Sequence, residues 1–121
     1  MGCALFRDGT AFFGLELGQH YAFEDCNYDQ YIGHAAFMAL GADAWNKRAQ
    51  RVIGAVEALT NSDRLYLGGG NSRRFTFELP AWASVVPPSA GVAGGVRLWH
   101  ADLNLWFAAS EDLMQPQTVR R

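Results

Sequence analysis

An α/β layered domain is the fold class this sequence predicts, and three observations predict it. Apolar runs and helical stripes follow one another in the order strand-strand-helix-helix-strand-strand-helix, with no internal repeat and no linker. The length of 121 residues suits one compact domain and is cramped for two. Half of the residues are apolar and 18% are charged, a globular balance that excludes intrinsic disorder. The single domain is expected over 1–110. Past Ser110 the Gln, Pro and Arg content predicts a flexible tail at 111–121.

Cys3 to Phe6 and Ala11 to Leu17 are apolar runs flanking Arg7-Asp8-Gly9-Thr10. An Asp-Gly pair between apolar runs is a strong hairpin signal, because glycine accepts the positive φ of such turns. Strands are expected at 2–7 and 10–17. Both runs are too continuous for a solvated edge, so the hairpin is expected to be covered on both faces. Gly18 to Asn27 reads as an irregular, polar and aromatic loop.

Asn27 is placed to cap a helix, with Gln30 completing a capping box. Tyr28, Tyr31, Ile32, Ala35 and Met38 or Ala39 follow at helical spacing, and Gly41 ends that helix. A second helix begins near Asp43, with Trp45, Ala49, Val52, Ile53, Val56 and Leu59 as one apolar stripe. Lys47, Arg48, Gln50, Arg51 and Glu57 form its opposite face and read as solvated. Asn61-Ser62-Asp63 breaks the helix. Arg64 to Leu67 then reads as a short buried strand running into Gly68-Gly69-Gly70-Asn71. Another strand is expected at 83–86, stopped by Pro87-Pro88. A glycine-rich helix is expected from Ala90 through Trp99 or Asp102.

Composition narrows the function classes. Ten basic and twelve acidic side chains give a net charge of −2, which argues against non-specific nucleic-acid binding. No winged-helix or helix-turn-helix segment with a basic recognition helix is present. No run approaches the roughly 18 apolar residues of a membrane span. Arg7 and Asp8 interrupt the start where a secretory signal needs a clean apolar run. Cys3 and Cys26 lie far apart and outside any C-x-x-C pattern, as reduced thiols of a cytoplasmic protein would.

Two segments carry candidate chemistry. Three glycines after a buried strand leave room for a flat or phosphorylated group to lie against backbone amides. The same glycines also serve a plain tight turn, and they match neither the Gly-Lys-Ser/Thr phosphate loop nor G-x-G-x-x-G. In Glu16-Leu17-Gly18-Gln19-His20, a carboxylate closing a strand beside two polar side chains could accept sugar hydroxyls. On these residues alone, a strand end with Glu16 pointing to water is the simpler account.

Together these segments resemble the ROK family of sugar kinases, in its polyphosphate-glucokinase-like branch. Residues 65–74, Leu-Tyr-Leu-Gly-Gly-Gly-Asn-Ser-Arg-Arg, look like the branch's adenosine-side motif, close to Y-I-G-G-G-N-A-[KR]-[KR]. Leu79-Pro80, Val85-Val86 and the run from Ala90 to Trp99 match its L-P, V-x-V and A-G-[IL]-x-G-G-x-x-L-W. Glu16-Leu17-Gly18 matches E-L-G-H, Tyr31-Ile32-Gly33 matches Y-L-G, and Trp45-Asn46-Lys47-Arg48 matches W-N-[KR]-R. The resemblance covers nearly the whole chain in the correct order. It implies the C-terminal lobe of an actin-like, ribonuclease-H-like ATPase fold, with the N-terminal lobe missing. It also implies ATP or polyphosphate with Mg²⁺ as phosphoryl donor and glucose as acceptor. Gly68, Gly69, Gly70 and Asn71 would border the adenosine and Gly2 a phosphate, while Glu16 with Gln19 or His20 would contact the sugar.

The departures from the pattern matter as much. The chain opens Met1-Gly2-Cys3-Ala4-Leu5, as though inside the family's G-T-G-x-G-[ST]-A-L loop, and no D-x-G-G-T occurs in it. The family's catalytic aspartate therefore has no counterpart here. Gln19 stands at the position of the sugar-contacting His, and Pro87-Pro88-Ser89-Ala90-Gly91 stands where S-N-[DE]-A-G is usual. The structural zinc motif of many ROK proteins is absent: His20 and Cys26 give at most two of four ligands, so no metal site is expected. His34 and His100 read as structural or surface residues. Loss of a general base alone costs ~10²–10⁴ in rate. The expectation is a truncated or half-length sugar kinase with no catalytic residue and little or no activity as an isolated chain. The alternative is a non-catalytic ROK-like remnant that binds a partner. A lone lobe exposes its cleft face, so self-association is expected.

Overall fold

The structure, a computed structural model, describes residues 1–8, 10–12 and 15–93. The chain divides into two compact units, Met1–Pro88 and Ser89–Arg121. Residues 88–93 are helical. The remainder of the predicted final helix, His100 and the predicted tail lie outside the described residues.

In the first unit, β1 (Leu5–Arg7) and β2 (Thr10–Phe12) form an antiparallel hairpin with Leu5 opposite Phe12 and Arg7 opposite Thr10. The strands are shorter than the sequence predicts. Glu16, at φ −92° and ψ 56°, turns the chain into a 3-10 turn at Leu17–Gln19, which sends Leu17 into the core. The hairpin is not covered on both faces: Phe6 is 59% and Phe12 46% exposed, because β1 and β2 pair only with each other.

The predicted loop at 18–27 holds a second small hairpin, β3 (Tyr21–Phe23) with β4 (Cys26–Asn27). Its two turn residues, Glu24 and Asp25, both have positive φ, as a two-residue hairpin turn requires. The capping box at the start of α1 (Tyr28–Ile32) forms as expected. Asn27 Oδ1 accepts from the Gln30 amide at 2.8 Å, and Gln30 Oε1 accepts from the Asn27 amide at 2.9 Å. That helix stops early, at Gly33, whose backbone is extended. α2 (His34–Thr60) follows and breaks at Gly41, φ 76° and ψ 174°, a conformation essentially confined to glycine.

The kink folds the front of α2 back onto its own body. Ala36 and Phe37 thereby pack with Trp45 and Ala49, joined by Phe75 and Phe77. A second cluster unites Leu17, Tyr28, Tyr31, Val52 and Val56. The predicted stripe is buried from Trp45 to Val56, but Leu59 is 64% exposed, since the core ends one turn short of the helix. Arg48 and Arg51 are not simply solvated. Arg48 lies 4.3 Å over the Tyr31 ring and pairs with Glu24, and Arg51 lies 4.0 Å over the Phe23 ring. Their stems and charges strap α2 to the β3–β4 hairpin.

β5 (Leu65–Leu67) pairs in parallel with β6 (Ala83–Val85), Leu65 opposite Ala83 and Leu67 opposite Val85. β5 is not wholly buried: Leu65 and Leu67 are half-buried while Tyr66 faces outward. A 3-10 turn at Gly70–Arg74 lies in the connection between the two strands. Among the described residues no helix is long and apolar enough to cross a membrane.

Candidate functional site

A cavity of about 670 Å³ opens between the N-terminal segment, the α1–α2 junction, the inner face of α2 and the glycine loop after β5. Gly2, Gly68, Gly69, Gly70 and Asn71, more than sixty positions apart in sequence at the extremes, all line it. Its apolar wall comes from α2, through Trp45, Ala49, Val52, Ile53 and Val56, whose helical spacing turns them to one side.

The glycine loop is built in an informative way. Gly69 has φ 91° and ψ 172°, so the turn itself demands glycine there. Gly68 and Gly70 are different. A Cβ at Gly70 would meet nothing within 4 Å, and one at Gly68 only Val86 Cγ2 at an ordinary 3.5 Å. The tight turn therefore explains one glycine of three, and at the other two a side chain would meet no clash. Ser72, buried, clasps the loop by donating its hydroxyl to the Gly69 carbonyl at 2.7 Å. Asn71 lines the cavity next to it.

The electrostatics of the lining are plain. Among the described residues no lysine or arginine lines the cavity. Its one carboxylate, Asp29, pairs with the Met1 ammonium group. Partial burial pushes the Cys3 thiol above its ordinary pKa. An uncharged, flat group fits these walls, with backbone amides and the Asn71 carboxamide as polar partners. A triphosphate with Mg²⁺ does not fit, because among the described lining residues the Met1 ammonium and Asp29 are paired with each other and no lysine, arginine or unpaired carboxylate is present. No step is derived through either. Among the described residues no three His, Cys, Asp or Glu side chains stand close enough to share a metal.

Glu16, Gln19 and His20 are not brought to this cavity. They sit on and beside the 3-10 turn at Leu17–Gln19, exposed, and of that turn only Leu17 reaches the cavity wall. Gln19 Oε1 accepts a long hydrogen bond from Asn27 Nδ2 at 3.5 Å, and the His20 carbonyl accepts from the Tyr28 amide at 3.2 Å. Arg74 does not reach the cavity lining: its guanidinium lies 4.0 Å over the Phe37 ring. His34, predicted to be structural or on the surface, is exposed at the cavity margin.

Asn46 enters the sequence reading only within the W-N-[KR]-R match, which assigns it no contact. It falls at the spacing of Ala49, Ile53 and Val56, and a carboxamide on an apolar stripe is itself the signal that a buried polar contact exists. Comparison with protein-family models and with curated proteins gives no match for this chain.

Proposed function

We propose that this chain is the C-terminal lobe of a ROK-type sugar kinase of the polyphosphate-glucokinase-like branch, and that its cavity receives the adenosine part of a nucleotide. One observation carries the reading: Gly2 and the run Gly68–Asn71, singled out from separate motifs, line the same cavity. The two glycines that the turn does not need add support, since they leave the loop open to a flat ligand. The lobe is read as non-catalytic by itself. Phosphoryl transfer requires charge at the transferred group and a base at the acceptor hydroxyl; among the described lining residues there is no lysine or arginine, the one carboxylate is paired with Met1, and His34 is exposed at the margin. With an N-terminal lobe to complete it, ATP or polyphosphate would donate to glucose, with Glu16 and Gln19 or His20 on the sugar side, in the cytoplasm.

Titration calorimetry with adenosine, ATP and glucose tests this. Adenosine and ATP are expected to bind within about threefold of one another, because the lining meets the nucleoside and not the phosphates. Neither ATP nor polyphosphate is expected to phosphorylate glucose on this chain alone. Absence of adenosine binding at millimolar concentration would remove the proposal.

A second reading, a ROK-like remnant serving as an interaction domain, is favoured by the uncovered hairpin that presents Phe6 and Phe12. A second copy of the chain is the proposed partner.

A further inference from the structure

We infer that Asn46 is the residue that positions the glycine loop, an assignment whose ligand-binding arm, though not its structural arm, rests on the adenosine reading. Asn46 is 4% exposed on α2. Its Nδ2 donates to the Ala42 carbonyl at 2.9 Å and to the Arg74 carbonyl at 3.0 Å, and its Oδ1 accepts from the Thr76 amide at 3.0 Å. The first bond stays within the helix. The other two reach 28 and 30 residues along the chain.

That pair of bonds has the pattern of a strand partner. The carboxamide offers one N–H and one C=O, as a peptide group does, to the carbonyl of residue 74 and the amide of residue 76. Phe75, between them, stacks on Trp45 with ring centroids 5.7 Å apart and planes 13° from parallel. The segment leaving the loop is thus held in position and in rotation. On the entering side, the Leu67 carbonyl accepts from the Val86 amide at 2.9 Å. Between these anchors the loop is closed by the 3-10 turn Gly70–Arg74 and by Ser72, whose amide and hydroxyl both reach the Gly69 carbonyl. Asn46 does not line the cavity. It acts through the backbone it holds.

Neither alanine nor aspartate reproduces the arrangement at neutral pH. An alanine leaves the Arg74 carbonyl and the Thr76 amide without these partners. An ionised aspartate has no donor and sets its charge against the Ala42 and Arg74 carbonyls. A protonated aspartic acid regains one donor and one acceptor, and burial makes protonation accessible at mildly acidic pH.

The test uses the full chain as wild type, Asn46→Ala, Asn46→Asp and a control, Asn27→Ala. The control removes the α1 capping box, whose residues lie outside the cavity lining. Amide hydrogen exchange and adenosine titration are run at a temperature where each variant is folded. In Asn46→Ala, exchange over residues 68–76 is expected to rise at least about tenfold, with helix α2 from Ala49 to Val56 unchanged. Adenosine affinity is expected to fall about tenfold or more. Asn27→Ala should lower the melting temperature and leave both readouts at wild-type values. In Asn46→Asp, the excess exchange over wild type should shrink as pH falls through the aspartate's titration. If Asn46→Ala does not fold, that pH dependence alone decides the matter. Loop exchange that merely follows melting temperature across all variants, with no pH-dependent recovery, overturns the assignment. A loop loosened by Asn46→Ala in a wild-type protein that does not bind adenosine upholds the positioning role and removes the nucleotide reading.

Discussion

Substituting Gly41 tests whether the kink in α2 is a property of the fold. In a straight helix Phe37 and Trp45, eight positions apart, would be separated by about 12 Å along the axis. Here their ring centroids are 5.6 Å apart at 81°, an edge-to-face pair, and Ala36 is buried with them. Gly41→Ala thus has two outcomes available to it. If the kink persists, alanine must occupy φ 76° and ψ 174°, a strain of about 1–3 kcal/mol, since a Cβ there meets nothing within 4 Å and no clash adds to it. If the helix straightens, alanine contributes about 1 kcal/mol of propensity. The aromatic pair, about 0.5–1.5 kcal/mol, and part of the burial of Phe37 are then lost. Both routes lower stability. For a unit of this size that corresponds to a fall in melting temperature of roughly 5–20 °C. Urea unfolding followed by far-ultraviolet dichroism and by tryptophan fluorescence reads it. A rise in melting temperature would refute the reasoning: Phe37 and Trp45 would then not meet in solution.

Four further outcomes follow from named contacts. Asn27→Ala removes one half of the capping box and should cost about 1 kcal/mol in urea unfolding, with no change in adenosine binding. Gly69→Ala should destabilise the chain, because its φ of 91° excludes alanine, whereas Gly70→Ala should leave the melting temperature within about 2 °C and weaken adenosine binding; equal effects of the two on stability would remove the argument from the glycine loop. Phe6→Ser with Phe12→Ser should reduce self-association in light scattering and reduce apolar-dye binding while melting is little changed, since both rings are largely exposed. The raised pKa of Cys3 means a smaller thiolate fraction at any pH near 8, so iodoacetamide should modify it more slowly in the folded than in the unfolded chain. The same shift makes its contribution to stability present below the ordinary thiol pKa and lost as pH rises through the higher folded value.

What the sequence made legible was mostly local. The Asn27–Gln30 box, the Trp45–Val56 stripe and the start of β5 depend on neighbours within a few positions, and they stand where they were expected. The β3–β4 hairpin was missed because its turn is made by Glu24-Asp25, with neither glycine nor asparagine to mark the positive φ. Tyr66 was read as buried because a short apolar run does not reveal whether one face of the strand will be left open; its outer face is open here. Arg48 and Arg51 were read as solvated because the rings that receive them belong to the distant residues Tyr31 and Phe23. Of the candidate site, the glycines were legible as glycines. Their meeting with Gly2 and the bracket supplied by Asn46 depend on contacts tens of residues apart, which periodicity does not carry.

The same division explains what this unit can and cannot do. A cavity walled by Trp45, Val52 and Val56 and floored by glycine backbone discriminates by shape and by a few amide contacts, so it suits the neutral part of a ligand. Moving a phosphoryl group is an electrostatic task, and fixed charge must stand where charge develops. Three of the described arginines are engaged elsewhere: Arg48 and Arg51 hold a hairpin to α2, and Arg74 covers Phe37. On the proposed reading, the charge that phosphoryl transfer needs comes from outside the described lining, which holds no lysine or arginine and whose carboxylate is paired with Met1. This division of residues suits, on that reading, a lobe that binds the nucleoside and leaves phosphoryl transfer to groups outside the described lining.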